Sequence, residues 1–180
     1  FKESLTALDV AIAIETGFGH VFPEAEYIKV PMADGGEGTV QSMVDATQGH
    51  LVYLEVTGPL GNQVKAQYGI LGAEDDQEPT TAVIEMASAS GLHLVPRDQR
   101  KPFYTTSFGT GELIKDALDR GIKHIVLGLG GSATNDAGAG LAQALGIQFK
   151  DDKQQELPFG GIALAQLSYV DVSQVHPLLA

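Results

Sequence analysis

The chain has no cysteine and no tryptophan among its 180 residues. Without thiols there is no disulfide, no thiolate nucleophile and no sulfur-ligated metal, so any metal would have to meet oxygen ligands. The five histidines, His20, His50, His93, His124 and His176, stand too far apart to form a local metal pair. Positive charge is also scarce. Eleven Lys and Arg face 23 Asp and Glu, a formal net charge of -12. Such a surface is repelled by a nucleic-acid backbone and by an anionic membrane, so neither is an expected partner. Small anions escape this exclusion, because screening over ~8 Å lets local N–H dipoles, a few lysines and a divalent cation outweigh distant carboxylates. Long apolar runs are missing too. No stretch nears the ~20 residues of a membrane span, and no basic then apolar leader opens the chain at Phe1, so a cytoplasmic location is expected.

What is abundant is glycine, 22 residues, within a composition that is 43% hydrophobic and long enough to bury a core. The densest cluster is Gly128-Leu129-Gly130-Gly131-Ser132-Ala133-Thr134-Asn135-Asp136-Ala137-Gly138-Ala139-Gly140. It follows the apolar stretch His124 to Leu127, of buried-strand type, and precedes a helix-like one through Leu141 to Leu145. Residues without a Cβ let backbone N–H groups approach a ligand closely, and a following helix N-terminus adds partial positive charge. The run therefore suits a phosphate or carboxylate. No Gly-Lys-Ser/Thr closes it, which excludes a Walker A loop. Gly128, Gly130 and Ala133 fit a relaxed dinucleotide fingerprint, with Asp151 where a ribose-binding acid would stand. Against that reading, the polar stretch Ser132 to Asp136 and two more glycines delay the helix. A loop whose glycines serve only tight turning is the third alternative.

A second glycine turn lies at Met32-Ala33-Asp34-Gly35-Gly36-Glu37-Gly38-Thr39, after the strand-like Tyr27 to Pro31 and before a helix carrying Val40, Met43 and Val44. Its carboxylates can hold Mg2+ or orient a hydroxyl, or simply complement a helix dipole. At the chain's start Ser4 reads as the cap of a helix with the stripe Leu5, Leu8, Ile12, and Lys2 beside it is either a phosphate contact or a solvated terminal lysine. Residues 51 to 56 and Val64, Ala66, Tyr68 and Ile70 flank the turn Gly58 to Asn62 and predict an antiparallel hairpin. Thr81 to Met86 reads as another strand, and Thr110 as the cap of a helix ended by Gly121. Thr105-Thr106-Ser107 suits turn chemistry or cleft lining equally.

These patterns predict an α/β protein of two subregions enclosing a cleft: a flavodoxin-like or Rossmann-like lobe with a parallel sheet, begun by residues 1–58, and a mixed β-rich part of a second α/β domain over 59–180. Both glycine turns fall at C-terminal strand ends, where such folds bind ligands.

Seven segments together resemble one family. Phe-Lys-Glu-Ser at 1–4, Ala-Asp-Gly-Gly-Glu-Gly-Thr at 33–39, Val-Thr-Gly-Pro-Leu-Gly at 56–61, Val-Ile-Glu-Met-Ala at 83–87, Ala-Ser-Gly-Leu at 89–92, Gly-Thr-Gly-Glu-Leu-Ile at 109–114 and Gly-Gly-Ser-Ala-Thr-Asn-Asp at 130–136 are similar, in order and spacing, to the bacterial type I glycerate kinases. The resemblance implies ATP-dependent, Mg2+-requiring phosphorylation of D-glycerate to 2-phosphoglycerate or 3-phosphoglycerate. It also implies that this chain is roughly the first half of a larger protein, lacking the family's first strand. An apolar edge left by that strand would favour a homo-oligomer. On this reading Gly35, Gly36, Gly38, Gly130, Gly131, Ser132, Thr134 and Asn135 bind phosphate or the glycerate carboxylate. Asp34, Glu37 and Asp136 are candidate Mg2+ ligands, Asp34 or Asp136 also orients the acceptor hydroxyl, and Lys2 neutralises transferring charge. The rival classes are a dinucleotide-binding oxidoreductase and a non-catalytic interaction fragment.

Overall fold

The computed structural model describes residues 5, 7–30, 35–36, 38–72 and 81–179. A four-stranded mixed sheet, ordered β1-β2-β3-β4, forms its centre. Strands β1 (His50–Thr57) and β2 (Gln63–Ile70) pair antiparallel over their full length, from His50 opposite Ile70 to Thr57 opposite Gln63. This is the hairpin expected from the alternating residues around Gly58 to Asn62. Gly61 takes φ +83° in its turn, a conformation open to glycine at little cost. The expected division of the chain at Pro59 thus falls within the connection of one hairpin.

Strand β3 (Thr81–Glu85) pairs antiparallel with β2 and parallel with β4 (His124–Gly128). The crossover between the parallel strands carries the short helix α3 (Met86–Ser90) and helix α4 (Phe108–Asp119). Val52, Val56, Ala66, Tyr68, Ala82 and Ile84 bury one sheet face against Leu113, Ile114, Ala117 and Leu118 of α4. Alternation turns Val83 to the other face, where it packs on Val40 and Val44 of α2 (Thr39–Thr47). The sheet is therefore sandwiched between α2 and α4. Gly69 lets α2 lie close, since a Cβ there would stand 2.4 Å from a Val44 methyl.

Helix α4 begins earlier than expected, with Ser107 as its cap and Thr110 inside it. The Thr110 hydroxyl instead shares a buried 2.8 Å hydrogen bond with Ser90, tying α4 to the end of α3. Gly121, at φ +85°, lies just past the helix as expected. Helix α5 (Ala139–Ala144) packs on α4 through small residues: a Cβ at Gly111 would meet the Leu141 carbonyl oxygen at 2.4 Å. The chain continues as an antiparallel pair of β5 (Gln148–Lys150) and β6 (Tyr169–Asp171), with the 3-10 helix Gly161–Gln166 between them.

Two expectations fare differently. Among the described residues strand β4 is the outermost of its sheet and is half-exposed rather than buried, because only β3 flanks it there. Of the strand expected over Tyr27 to Pro31, Pro31 lies outside the described residues and 27–30 form no strand; Ile28 and Val30 are 81% and 68% exposed, with no neighbouring strand among the described residues to satisfy their backbone. Helix α1 (Ala7–Gly19) is present, but Leu8 and Ile12 of its apolar stripe face outward. The expected cap Ser4 lies outside the described residues. No helix among the described residues is long and apolar enough to cross a membrane.

Tyr68 is fully buried and its hydroxyl donates to Asp116 Oδ2 at 2.7 Å. Burial first, then that carboxylate, hold the phenol well above its ordinary range. A folded-state pKa above the unfolded value of about 10 gives a stabilisation complete below that pH and lost as pH rises past it. Of the five tyrosines, Tyr68 is therefore expected to ionise only as the protein unfolds. An alkaline absorbance titration followed in parallel by circular dichroism tests this, and Tyr68→Phe should delete the coincident step. Ionisation of Tyr68 with the fold intact would contradict it.

Candidate functional site

The parallel pairing of β3 with β4 sets Glu85 directly beside Gly128, so both strands end at the same level. Beyond those ends the two connecting segments are stitched together. Gly91 and Ser132 form an antiparallel bridge, in which Leu92 N–H donates to the Gly131 carbonyl at 2.9 Å and Ala133 N–H to that of Ser90 at 2.9 Å. The Thr105 hydroxyl donates to the Ala133 carbonyl at 2.8 Å, and the Ser132 and Thr134 hydroxyls share a 2.7 Å bond. The glycine run after β4 is thus a fixed surface rather than a loose connection.

The second glycine turn lies against it. Gly130 N–H donates to the Gly35 carbonyl at 3.1 Å, and Thr39 Oγ1 accepts from Gly35 N–H at 3.1 Å while donating to Gly36 O at 2.8 Å. A Cβ on Gly128 would stand 2.5 Å from the Gly35 carbonyl oxygen, and one on Gly130 would stand 2.8 Å from Gly36 Cα. Contacts under 3 Å require the backbone to shift, so glycine is demanded here by proximity rather than by φ. Gly38, at φ +94°, opens α2, and Gly131, at φ +75°, turns the chain between Gly130 and the bridge. Gly35, Gly36, Gly130, Gly131 and Ser132 are brought together, with Thr134 beside them. Among the described residues none accepts the N–H of Gly131, Ser132 or Asn135.

Asp136, expected as a catalytic acid or Mg2+ ligand, is a buried fastener, 3% exposed. Its Oδ2 accepts from Ser107 N–H at 2.8 Å and Gly140 N–H at 3.2 Å, and its Oδ1 from Gly138 N–H at 3.1 Å. The Ser107 hydroxyl adds a fourth donor at 2.8 Å and itself accepts Leu141 N–H at 2.9 Å. One carboxylate and one hydroxyl thereby cap the start of α5, where backbone N–H groups are otherwise unpaired, and tie it to Ser107, the residue that precedes α4. The sharp entry to α5 is completed by Ala137 and Gly138, both at positive φ. The Asn135 carbonyl packs against Gly161, leaving no room there for a Cβ. Lys2, Asp34 and Glu37 lie outside the described residues.

A model of the glycerate kinase family matches residues 1–180. The chain belongs to the glycerate kinase family. It is 60% identical over 179 residues to a glycerate kinase of Haemophilus influenzae, covering 99% of this chain and 46% of that protein. A Bacillus subtilis glycerate kinase is 58% identical, with 96% of this chain and 44% of the relative covered. The Escherichia coli relative, named glycerate 2-kinase, is 54% identical over 99% of this chain and 46% of its own length. Among solved structures, a Salmonella typhimurium protein described as a glycerate kinase 2 superposes with a TM-score of 0.80 at 54% identity, covering 98% of this chain and 47% of that one. The chain thus spans about half the length of the relatives it matches. The resemblance read from the seven segments is borne out along the whole chain, as is the mixed α/β class.

Two residues whose side chains hold this region together were not singled out by sequence reasoning. Glu85 stood in the family-like segment Val-Ile-Glu-Met-Ala, and a carboxylate closing an apolar strand was the available signal. Ser107 was one of three adjacent hydroxyl residues that could equally have been turn formers. Asp136→Ala should leave the buried Ser107 and Gly140 N–H groups and the part-buried Gly138 N–H without the carboxylate, costing about 3 kcal/mol or more of unfolding free energy. Urea unfolding measures it, and a loss below about 1 kcal/mol would show that other acceptors take over.

Proposed function

We propose that the polypeptide carrying this chain is an ATP-dependent kinase that phosphorylates D-glycerate, and that the joined glycine turns form part of its cleft. The observation that carries the reading is the backbone contact of Gly130 with Gly35, in a chain that matches the glycerate kinase family from end to end. The name of the Escherichia coli relative favours transfer to the 2-hydroxyl.

Phosphoryl transfer asks a protein mainly for positioning and charge neutralisation. The Gly130 to Asn135 surface offers N–H donors and the Ser132 and Thr134 hydroxyls to an anion, either a nucleotide phosphate or the glycerate carboxylate. A rigid surface is useful because donors held in place need no reorganisation when charge develops. Asp34 is the candidate for orienting the acceptor hydroxyl, and Lys2 for meeting transferring charge. Mg2+ is commonly held by one or two carboxylates together with phosphate oxygens. Asp136 does not suit that task while four N–H and O–H donors surround its carboxylate, so the metal falls to Asp34 and Glu37. The bound metal would supply charge neutralisation at the phosphates; Asp136 would act by holding the turn and both helix starts. The oxidoreductase alternative loses support from the ten residues, 129–138, that separate β4 from α5, because a dinucleotide fingerprint starts its helix at once.

A coupled assay with D-glycerate and Mg-ATP, on this chain alone and within a full-length polypeptide, tests the proposal, with the product's phosphate position read by NMR. Turnover is expected in the full-length form and at the 2-position. A folded full-length protein with no transfer would overturn it. Asp34→Asn should lower kcat by more than about tenfold, or ~1.4 kcal/mol of barrier, and a smaller loss would remove Asp34 from its assigned role.

A further inference from the structure

We infer that Glu85 is a positioning residue that locks the Gly35–Thr39 turn against the Gly128–Gly131 turn, an inference that rests on the kinase reading for its catalytic consequence. Helix α2 begins at Thr39 with Gly38 as its cap residue, and a glycine has no side chain with which to satisfy the first N–H groups. The acceptor comes instead from 45 residues further along the chain: Val40 N–H donates to Glu85 Oε1 at 2.8 Å in a buried bond. Glu85 is itself 9% exposed, and as the last residue of β3 its backbone is held beside Gly128 by the parallel ladder.

The turn is therefore gripped at two points. At its front, Gly35 O accepts from Gly130 N–H, and at its back, Val40 N–H donates to Glu85. Both grips trace to one place in the sheet, the paired residues Glu85 and Gly128. The carboxylate also adds negative charge at the positive end of α2, which strengthens the bond beyond that of a neutral acceptor. Asp34 and Glu37, to which the kinase reading gives the metal, flank the clamped glycines in sequence. A shift of about 1 Å in such groups is enough to cost two orders of magnitude in rate.

Glu85→Gln and Glu85→Leu, each made in the full-length polypeptide, separate this role from the alternatives. The amide oxygen of Gln still accepts from Val40, whereas Leu fills the space with no acceptor. Hydrogen exchange of the 38–44 segment should quicken at least about tenfold in the Leu variant and stay within about threefold of wild type in the Gln variant, with exchange in α4 unchanged in both. In turnover, Glu85→Leu should lower kcat by at least about tenfold and raise the Mg2+ concentration for half-maximal rate, while Glu85→Gln restores both to within about threefold. A residue that only stabilised the fold would reduce the active fraction without moving the Mg2+ dependence.

Equal loss in both variants would overturn the inference, because the charge rather than the acceptor would then matter. Unchanged exchange in the Leu variant would overturn it as well. Should Glu85→Leu fail to fold, loss of protection at 38–44 in Glu85→Gln is enough to sink the idea, and retained protection there supports it. The expected exchange pattern in a wild-type polypeptide without glycerate kinase activity would uphold the clamp and reject the kinase reading.

Discussion

Everything at the candidate site depends on two backbones lying in contact. The Gly35–Gly36 turn lies so close to Gly128 and Gly130 that a Cβ on either of those two would strike its backbone. Gly128 and Gly130 provide the room, whereas Gly35 answers to its backbone angle, φ +89°. The resulting Gly130 to Gly35 bond joins the segment after β4 to the segment before α2, across 95 residues of sequence. Parallel pairing of β3 with β4 makes the arrangement reproducible, since it fixes the height at which Gly128 leaves the sheet.

Around this contact the protein uses buried polar groups as fasteners. Asp136 with Ser107 joins the starts of α4 and α5, Ser90 with Thr110 joins α3 to α4, and Glu85 joins β3 to α2. Each is costly to bury and worthwhile only when its donors and acceptors are matched, which makes such groups sensitive reporters of local geometry. No buried side-chain nitrogen or oxygen among the described residues lacks a partner. Three fasteners ring the glycine turns, so the backbone donors there are held by a lattice of bonds rather than by apolar packing alone. That rigidity suits the charge-holding role proposed for the site.

The apolar layers carry the remaining load. Alternation along β3 sends Ala82 and Ile84 toward α4 and Val83 toward α2, so a five-residue strand joins both cores. Where close helix approach is needed, glycine recurs: Gly69 beneath α2, and Gly109, Gly111 and Gly140 where α4 meets β1 and α5. Glycine thus has two uses in this chain, opening room for helix packing and opening room for one turn to lie against another. Composition does not distinguish them.

Local signals in the chain were sufficient for the β1–β2 hairpin, for α2 and α4 as helices, and for the two glycine turns as a pair, because each follows from periodicity or from a conformation that few residues tolerate. The seven family-like segments were equally legible, and they identified the family. Long-range partners were not. Thr110 has the chemistry of a helix cap, yet it lies inside α4 and its hydroxyl bonds to Ser90, while Ser107 precedes the helix and is held by Asp136, 29 residues away. Asp136 has the chemistry of a metal ligand, yet the fold surrounds it with four donors. Tyr27 to Val30 have the composition of a strand, and a strand needs a neighbour as well as a propensity. Residue type and spacing fix which interactions a segment can make, whereas the choice among them belongs to whichever distant groups the fold brings within about 3 Å.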